Sequence, residues 1–308
     1  MKIAVVGAGA MGCLLGALLA KAKQEVWILD KNKERAEKIS QQGIIVEGIS
    51  GDWQIKLNVT SEAAEIGKAE LVIIAVKSYN TKEAITRIKP AIADETKVVT
   101  LQNGMGNIEI ISEVAGSEKV VGGVTSIGAT LIDIGRVRHA GHGDTVIGRI
   151  DGKIPVEMRA IREIFNKIGL DARISRDIKA MLWSKLIINV GINALTAITR
   201  LNNGRLLEFP GTHRILTDAV TEAIRVAKRK RIKLIYDDPL AKVEAVCEAT
   251  CGNISSMLQD VLRKKRTEID FINGVIVRHA QELDIPVPIN TLLLDLVHTI
   301  EASYSQSI

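Results

Sequence analysis

Three glycines near the start of the chain restrict the fold more than any other feature. Gly7, Gly9 and Gly12 have G-x-G-x-x-G spacing, and they follow a strand-like run and open a helix-like run. The first glycine permits a tight turn, the second lets a pyrophosphate approach the backbone, and the third lets helix and strand pack closely. Because the first helical amides then face the phosphates, the pattern predicts dinucleotide binding. The predicted contact residues are Gly7, Ala8, Gly9, Ala10, Met11 and Gly12.

The first half of the chain alternates short apolar runs with amphipathic ones. Apolar strands alternating with helices are typical of a parallel sheet covered on both faces. A hairpin is expected over 44–59, with its turn at Gly48–Asp52. Strands are predicted at 3–7, 25–29, 71–76, 97–101, 120–127, 129–140, 144–150 and 171–175, and helices at 11–22, 31–42, 81–89, 107–115 and 155–168.

Strand patterns end before Asp177, and helices are predicted at 177–198, 211–231, 239–251, 253–283 and 290–304. The predicted fold class is therefore a Rossmann-type α/β N-terminal domain with a mostly parallel sheet, followed by an all-α C-terminal domain. We expect residues 1–172 to bind the dinucleotide. Residues 173–308 are expected to bind substrate and to form a dimer.

The composition excludes several classes of protein. Hydrophobic residues make up 46% of the chain and charged residues 25%, as in ordinary globular proteins. Aromatic residues are only 3%, so the basic clusters KRKRIK and RKKR are interpreted as solvated helix faces, with no nucleic-acid partner. The net charge of +5 suits an anionic ligand without requiring one.

The cysteines and the hydropathy pattern indicate a cytoplasmic protein. Three cysteines, Cys13, Cys247 and Cys251, fit a reducing compartment, and no metal site is predicted. Cys247 and Cys251 are interpreted as two small core residues. The sequence shows no signal-peptide pattern. No apolar run was judged long enough to span a membrane, so no membrane partner is expected.

The end of the second predicted strand bears on which dinucleotide is used. Asp30 stands where a carboxylate accepts hydrogen bonds from ribose hydroxyls and repels a 2′-phosphate, which favours NADH. Lys31, Lys33 and Arg35 follow at once, and each could pair with a 2′-phosphate, which favours NADPH. The residues alone leave both cofactors open.

A polar stripe interrupts the most apolar predicted helix. Lys185, Asn189 and Asn193 are four residues apart, so they share one helix face. Buried polar groups need partners, and these could be structural. An ammonium flanked by two amides would also suit a 2-oxo acid, because it can donate a proton as negative charge develops on the carbonyl oxygen.

Nearly the whole chain resembles the ketopantoate reductases (2-dehydropantoate 2-reductases). The resemblance is carried by these motifs: KIAVVGAGAMG at the start, VKSYNT (76–81), LQNGMGN (101–107), LWSKLIINVGINALTAI (182–198), NNG (202–204) and the block from NISSMLQD to IPVPIN (253–290). The last block is the most specific, because a generic dinucleotide-binding dehydrogenase does not require it.

The resemblance implies roles for particular residues. Lys185 corresponds to the family's catalytic acid, and Glu268 to a second catalytic or substrate-orienting residue. Lys77 corresponds to a cofactor contact, and Asn103 to a residue at the junction of cofactor and substrate. The expected substrate ligands are Asn103, Lys185, Asn189, Asn193, Asn203 and Ser256, and the expected cofactor ligands beyond the glycine loop are Asp30, Lys31, Lys77 and Asn103.

Each implied role has a structural alternative. Glu268 could pair with Arg263 or Lys264 one helix turn away. Ser256 could satisfy backbone amides at a helix start. Lys77 could be a solvated lysine that follows a strand.

The resemblance implies an NAD(P)H-dependent reductase that converts 2-dehydropantoate to (R)-pantoate for pantothenate and coenzyme A synthesis. The apolar, helical second half of the chain favours a homodimer. The family usually uses NADPH, and Asp30 leaves that preference open. One alternative is a reductase of another branched 2-oxo acid on the same fold. A less favoured alternative is a non-catalytic dinucleotide sensor, which would not need a proton donor.

Overall fold

The computed structural model describes residues 1–306. The described chain forms two compact units. The first contains Met1–Gln102 and Gly106–Ile178, and the second contains Asn103–Met105 and the chain from Lys179 onward. The boundary predicted at 172/173 lies within a strand of the first unit, and the roles predicted for the two units stay predictions.

The first unit is built on a mainly parallel sheet. Its strands are β1 (Lys2–Val6), β2 (Glu25–Leu29), β3 (Ile44–Gly48), β4 (Trp53–Ile55), β5 (Asn58–Thr60), β6 (Ala69–Ile74), β7 (Ile92–Thr100), β8 (Val120–Thr125), β9 (Gly128–Asp133), β10 (Arg136–Gly141), β11 (Thr145–Gly148) and β12 (Ala172–Ile174). Its helices are α1 (Ala10–Lys21), α2 (Lys33–Gln42), α3 (Ala63–Ile66), α4 (Thr81–Ile88), α5 (Asn107–Ala115) and α6 (Val156–Lys167).

Eight of the described strands form one sheet in the order β12-β11-β8-β7-β6-β1-β2-β5. All neighbours in it are parallel except β11 and β8. The chain crosses to opposite sides of β1 to form β2 and β6, so the carboxyl end of β1 is a topological switch point, where α/β sheets bind ligands. The order β4-β3-β10-β9 defines a smaller sheet that packs on α1.

The second unit is helical, as predicted. Its helices are α7 (Ile178–Thr199), α8 (Arg205–Glu208), α9 (Pro210–Arg229), α10 (Pro239–Ala249), α11 (Ser256–Leu262), α12 (Asn273–Glu282) and α13 (Pro288–Ala302). A hydrophobic core that includes Trp183, Ile187 and Val190 of α7 and Leu216 and Val220 of α9 holds them together. The predicted fold class is thereby confirmed.

The helix predicted over 253–283 is wrong. The structure breaks it into α11 and α12, joined by residues 263–272 with a short 3₁₀ turn at Ile269–Phe271. The consecutive residues Thr267, Glu268 and Ile269 are all at most 5% exposed. The break begins at Lys264, whose φ of 51° lies in the left-handed region that ends helices, and the Lys265 amide closes this end by donating to the carbonyl of Asp260 at 2.9 Å.

Other predicted elements need smaller corrections. The hairpin of β3 and β4 turns at Gly48–Asp52 as expected, but β5 leaves it and pairs with β2 in the main sheet. The helices α3 and α8, four residues each, were not predicted. Both are too short to show helical periodicity in a sequence.

By length and composition alone, α7 could cross a membrane, with a mean hydropathy of 1.4 over its most apolar window. No apolar run long enough to span a membrane was expected from the sequence, and by this criterion that expectation is wrong for α7. However, 67% of that window is buried inside the protein. This is the burial of a core helix, and the apolar character of α7 is explained by the packing of the helical unit.

Candidate active site

The glycine loop joins β1 to α1 at the switch point. Gly7 has a φ of 107°, and a Cβ there would lie 2.7 Å from Cγ1 of Val76. A Cβ on Gly12 would lie 1.8 Å from the carbonyl oxygen of Gly7. These two glycines are therefore required by the fold itself, because any side chain would collide with backbone or with the segment after β6.

Gly9 differs, because a Cβ there would meet no heavy atom of the described chain within 4 Å. Gly9 also precedes α1 as its N-cap, and no described side chain caps this helix start. Backbone amides at an open helix N-terminus, beside a position without a side chain, fit a bound pyrophosphate. The loop thus fits the dinucleotide that its sequence predicts.

Both carboxylate oxygens of Asp30 are hydrogen-bonded within the protein. Its side chain is 1% exposed, and Oδ2 accepts the Ala8 amide at 2.8 Å. Oδ1 accepts the Asn32 amide at 2.9 Å and one guanidinium nitrogen of Arg35 at 2.5 Å. Asp30 therefore fixes the glycine loop to the start of α2, a role that the sequence did not reveal.

Two other predicted cofactor residues, Lys31 and Lys77, lie in the same unit as this loop, Lys31 exposed and Lys77 half-buried. Lys31 pairs with Glu83 at 2.9 Å, and both side chains are about half exposed. Lys77 follows β6 and precedes the 3₁₀ turn Ser78–Asn80. Since Val76, next to Lys77, contacts the position of Gly7, Lys77 lies beside the glycine loop.

The buried thiols have no reactive character. Burial is the main cause that raises the pKa of Cys13 to about 12 and that of Cys247 to about 11. Both groups are therefore protonated at neutral pH and pack as small apolar side chains. The core placement expected for Cys251 is wrong, because this residue is exposed just after the end of α10. Within residues 1–306, no group of three or more His, Cys, Asp or Glu is placed to hold a metal ion.

In the helical unit, the structure brings Lys185 close to Glu268. Burial lowers the pKa of Lys185 to about 8, and the charge of Glu268 raises it, though by less. Glu268 is 5% exposed and lies where the predicted long helix breaks. The lysine therefore exchanges protons near neutral pH, as a general acid should.

Of the two asparagines of the stripe, Asn193 is buried and Asn189 is half-buried. Asn193 is 5% exposed. The Nδ2 atom of Asn189 is buried and has no hydrogen-bond partner within the described residues. An unsatisfied amide next to an ionisable lysine is a free-energy cost that a bound oxygen acceptor would remove.

The hydrogen bonds next to Ser256 and around Asn203 were not predicted from the sequence. Ser255, not Ser256, is the N-cap of α11, and its hydroxyl also bonds Thr196 on α7 at 2.6 Å. Ser256 is the first residue of α11. The two adjacent serines before an apolar run were the available signal for the cap.

Asn203 is held by hydrogen bonds from both its backbone and its side chain. Its backbone N–H donates to the carbonyl of Asn253 at 3.0 Å, and its side-chain Nδ2 donates to the hydroxyl oxygen of Thr250 at 2.9 Å. Its Oδ1 is buried and unbonded within the described chain. Asn203 therefore presents an acceptor that a substrate hydroxyl could use.

Asn103 belongs to the helical unit, although it lies far from that unit in sequence. The Met105 amide donates to the carbonyl of Phe271 at 2.9 Å, and Gly104 packs on the same residue with a φ of 78°. Asn103 is thus placed next to the turn that carries Glu268. The seven predicted catalytic and substrate residues all lie in this unit. Among them, Lys185 is close enough to Glu268 for the carboxylate charge to raise its pKa.

A glycine loop on a doubly wound sheet, followed by a helical unit with an ionisable lysine, defines a dinucleotide-dependent oxidoreductase. Residues 3–152 match the family model for ketopantoate reductase PanE/ApbA, and residues 177–301 match the model for its C-terminal part. The chain belongs to the ketopantoate reductase family, whose members depend on NAD(P)H.

Known proteins resemble the chain over its full length. The 2-dehydropantoate 2-reductase of Pyrococcus horikoshii is 36% identical over 98% of both chains, and that of Archaeoglobus fulgidus is 35% identical over 98% of both. A PanE/ApbA family ketopantoate reductase from Ralstonia eutropha has a TM-score of 0.92 at 35% identity, covering 99% of this chain and 100% of that one. D-mandelate dehydrogenase with NADH and anilino(oxo)acetate has a TM-score of 0.91 at 28% identity, covering 98% and 99%.

Proposed function

We propose that the protein is a 2-dehydropantoate 2-reductase, which transfers hydride to C2 of 2-dehydropantoate and forms (R)-pantoate. The observation that carries this proposal is that Lys185, on the polar face of α7, lies near the buried Glu268, whose charge acts on its pKa. Bound NAD(P)H supplies the hydride, and the glycine loop is the part of the chain that fits its pyrophosphate.

The helical unit supplies the groups that handle the substrate. Lys185 donates a proton to the carbonyl oxygen at C2 as negative charge develops there. The amides of Asn189 and Asn193 bind the oxygens of the oxo acid, and Asn203 and Ser256 bind the hydroxyl end. Glu268 keeps Lys185 protonated and oriented, because an adjacent carboxylate favours the charged amine.

The test of this function is a comparison of substrates. We expect kcat/KM for 2-dehydropantoate to exceed that for 2-oxoisovalerate, unbranched 2-oxo acids and phenylglyoxylate. A site built to bind a hydroxyl loses much of its binding energy when the substrate lacks one, because its polar groups stay unpaired. The likeness to D-mandelate dehydrogenase gives the second candidate, an aryl or branched 2-oxo acid reductase, which preference for one of the other substrates would favour.

The pKa of Lys185 predicts the pH dependence of the reaction in both directions. Its pKa of about 8 means that the amine is protonated below that pH and neutral above it. Reduction needs the protonated form, so kcat/KM for reduction should fall as the pH rises through about 8. Oxidation of pantoate needs the neutral form and should increase over the same range.

The control for the pH profile is Lys185→Arg, which keeps a positive charge but does not titrate in this range. Whatever activity this variant retains should lack the decline near pH 8. An unchanged decline in the arginine variant would assign it to another group.

For the cofactor, we propose a preference for NADPH over NADH. Asp30 is buried and already accepts three hydrogen bonds, so it has little capacity left for ribose hydroxyls. The guanidinium of Arg35 covers it, and the Arg35 side chain is 34% exposed. The group offered to a cofactor at the end of β2 is therefore cationic, which suits a 2′-phosphate.

Replacing Arg35 with glutamine should test this preference. We expect kcat/KM with NADPH to fall roughly tenfold to 100-fold, the effect of one charged hydrogen bond, while the value with NADH changes little. Fluorescence titration should show the same change in the Kd of NADPH. Lys33→Gln is the matched control, because Lys33 lies on the same helix and its side chain is 78% exposed.

Equal losses with both cofactors in the Arg35 variant would mean that Arg35 only holds Asp30 and the glycine loop. A loss in the Lys33 variant as large as that in the Arg35 variant would show a diffuse electrostatic effect.

We also propose that the enzyme is a homodimer formed through its helical unit. The support is that Leu262, Leu292 and Leu296 of this unit are large apolar side chains that are at least 40% exposed. Light scattering of the purified protein should give twice the mass of one 33.5 kDa chain.

A further inference from the structure

The turn that carries Glu268 is not shaped by its own sequence alone. It spans residues 263–272 between α11 and α12, and its exposed face carries the basic run from Arg263 to Arg266. Lys264 has a φ of 51°, in the left-handed region that lysine disfavours. The end of α11 closes this residue locally, because the Lys265 amide donates to the carbonyl of Asp260 at 2.9 Å. The rest of the turn is held by surrounding structure.

The surrounding structure is the C-terminal helix, α13. The carboxylate of Glu301 accepts the Thr267 amide at 2.7 Å, on the residue that precedes Glu268. Two residues after Glu268, the carboxylate of Asp270 bonds Nε2 of His298 at 2.8 Å. Glu268 is thus bracketed by two hydrogen bonds to α13.

A third contact holds the basic part of the turn. The hydroxyl of Tyr304 donates to the carbonyl of Lys265 at 2.9 Å, and Nζ of Lys264 donates to the carbonyl of Tyr304 at 3.3 Å. Burial raises the pKa of Tyr304 to about 12, so its hydroxyl keeps the proton that it donates.

The other end of α13 is anchored in the core of the helical unit. Glu222 of α9 is 5% exposed, and its carboxylate accepts the amides of Ile289 and Asn290 at 3.0 and 2.9 Å. These are first-turn amides, which helices otherwise leave unpaired. Therefore α13 is fixed at its start to α9 and at its end to the turn that carries Glu268.

We propose that Glu301 and Tyr304, at the end of α13, are positioning residues that hold the Glu268 carboxylate beside Lys185. This inference rests on the proposed reductase function, since it concerns how Glu268 acts on the proton donor. Neither residue needs to touch the substrate. Their effect is exerted through the backbone of residues 265–267.

Glu301→Ala removes the acceptor for the Thr267 amide. We expect kcat for reduction of 2-dehydropantoate to fall between about tenfold and 100-fold, the cost of a small displacement of a group that acts in catalysis. The pKa of Lys185 should also fall below its value of about 8, because the displaced Glu268 no longer raises it. Competitive acetylation followed by mass spectrometry measures that pKa without any substrate.

Two further variants separate positioning from charge and from loss of stability. Glu301→Gln removes the charge but keeps an oxygen acceptor, so its kcat and its Lys185 pKa should stay close to wild type. Tyr304→Phe removes a hydrogen bond without changing the net charge, and it should shift both quantities in the direction seen for Glu301→Ala. Asp295→Ala is the control on the exposed face of α13, and it should change neither quantity.

The inference is overturned if Glu301→Ala folds and leaves kcat and the Lys185 pKa unchanged, because α13 would then contribute stability alone. It is also overturned if Glu301→Gln loses as much as Glu301→Ala, because the direct charge of Glu301 would then be the cause. A wild-type enzyme that does not reduce 2-dehydropantoate would disprove the proposed function. The acetylation measurement would in that case still decide whether α13 controls the ionisation of Lys185.

Discussion

Lys185→Ala is expected to lower kcat for reduction by a factor between about 100 and 10,000, the usual contribution of a general acid. The affinity for NADPH should change little, because the glycine loop lies on the other compact unit. Steady-state kinetics give the first quantity, and titration of nicotinamide fluorescence gives the second. Turnover near the wild-type value would remove Lys185 from its proposed role.

Lys185 should also lower the stability of the folded protein, because its charged amine is buried. Burial lowers the pKa of Lys185 to about 8 from the 10.5 of an unperturbed lysine, so folding is opposed by the charged amine at neutral pH. Since a tenfold change in an ionisation constant corresponds to about 1.4 kcal/mol, the penalty is up to about 3 kcal/mol. The unfolded state binds more protons between these two pKa values, so the stability of the wild type should increase as the pH rises from about 8 to about 10.5.

Lys185→Met should therefore be more stable than wild type at pH 7, because it keeps the volume and removes the charge. Thermal unfolding at pH 7 should show a higher Tm for the methionine variant. A lower Tm would mean that the amine contributes to the packing of α7 in its charged form.

The second large effect is expected from a comparison of two glycines in one loop. Gly12→Ala should prevent stable folding or lower the Tm strongly, because its Cβ would lie 1.8 Å from the carbonyl oxygen of Gly7. Gly9→Ala should fold with a Tm close to wild type, because its Cβ meets no heavy atom of the described chain within 4 Å and its φ of −82° suits alanine. Circular dichroism melting curves give both values.

The Gly9 variant should nevertheless bind NADPH at least about tenfold more weakly, because its methyl group occupies the side from which the pyrophosphate approaches. Unchanged NADPH affinity in a folded Gly9→Ala protein would show that the cofactor does not use this loop in the proposed way. Normal thermal stability of Gly12→Ala would contradict the close packing at the start of α1.

Much of the architecture follows from local patterns. The strand β2 and the helix α5 coincide with the predicted segments 25–29 and 107–115, and the hairpin turn at Gly48–Asp52 is where it was expected. These elements are specified by apolar periodicity and by glycine, whose effects act over a few residues. Elements of three or four residues, such as β5 and α3, carry too little pattern and were missed or misassigned.

The candidate site, like the fold, was predicted from the sequence only where local patterns specify it. The stripe of Lys185, Asn189 and Asn193 was visible because a helix repeats every 3.6 residues. The N-cap at Ser255 was missed, since two adjacent serines offer the same chemistry and only the backbone geometry chooses between them. The engagement of Asp30 by Arg35 was also missed, because a carboxylate at the end of a strand has the same sequence signal whether it faces a ligand or its own chain.

The sequence by itself determined that this chain would form a glycine loop on a parallel sheet and a helical unit with one polar stripe. Each of these depends on neighbours within one or two turns of the chain, where backbone sterics and periodicity decide. The tertiary structure alone decided that residues 263–272 leave the helix, that Glu268 is buried beside Lys185, and that Asn103 joins the helical unit. These outcomes depend on contacts between residues more than 30 positions apart, such as Thr267 with Glu301 and Met105 with Phe271, and local periodicity carries no information about such contacts.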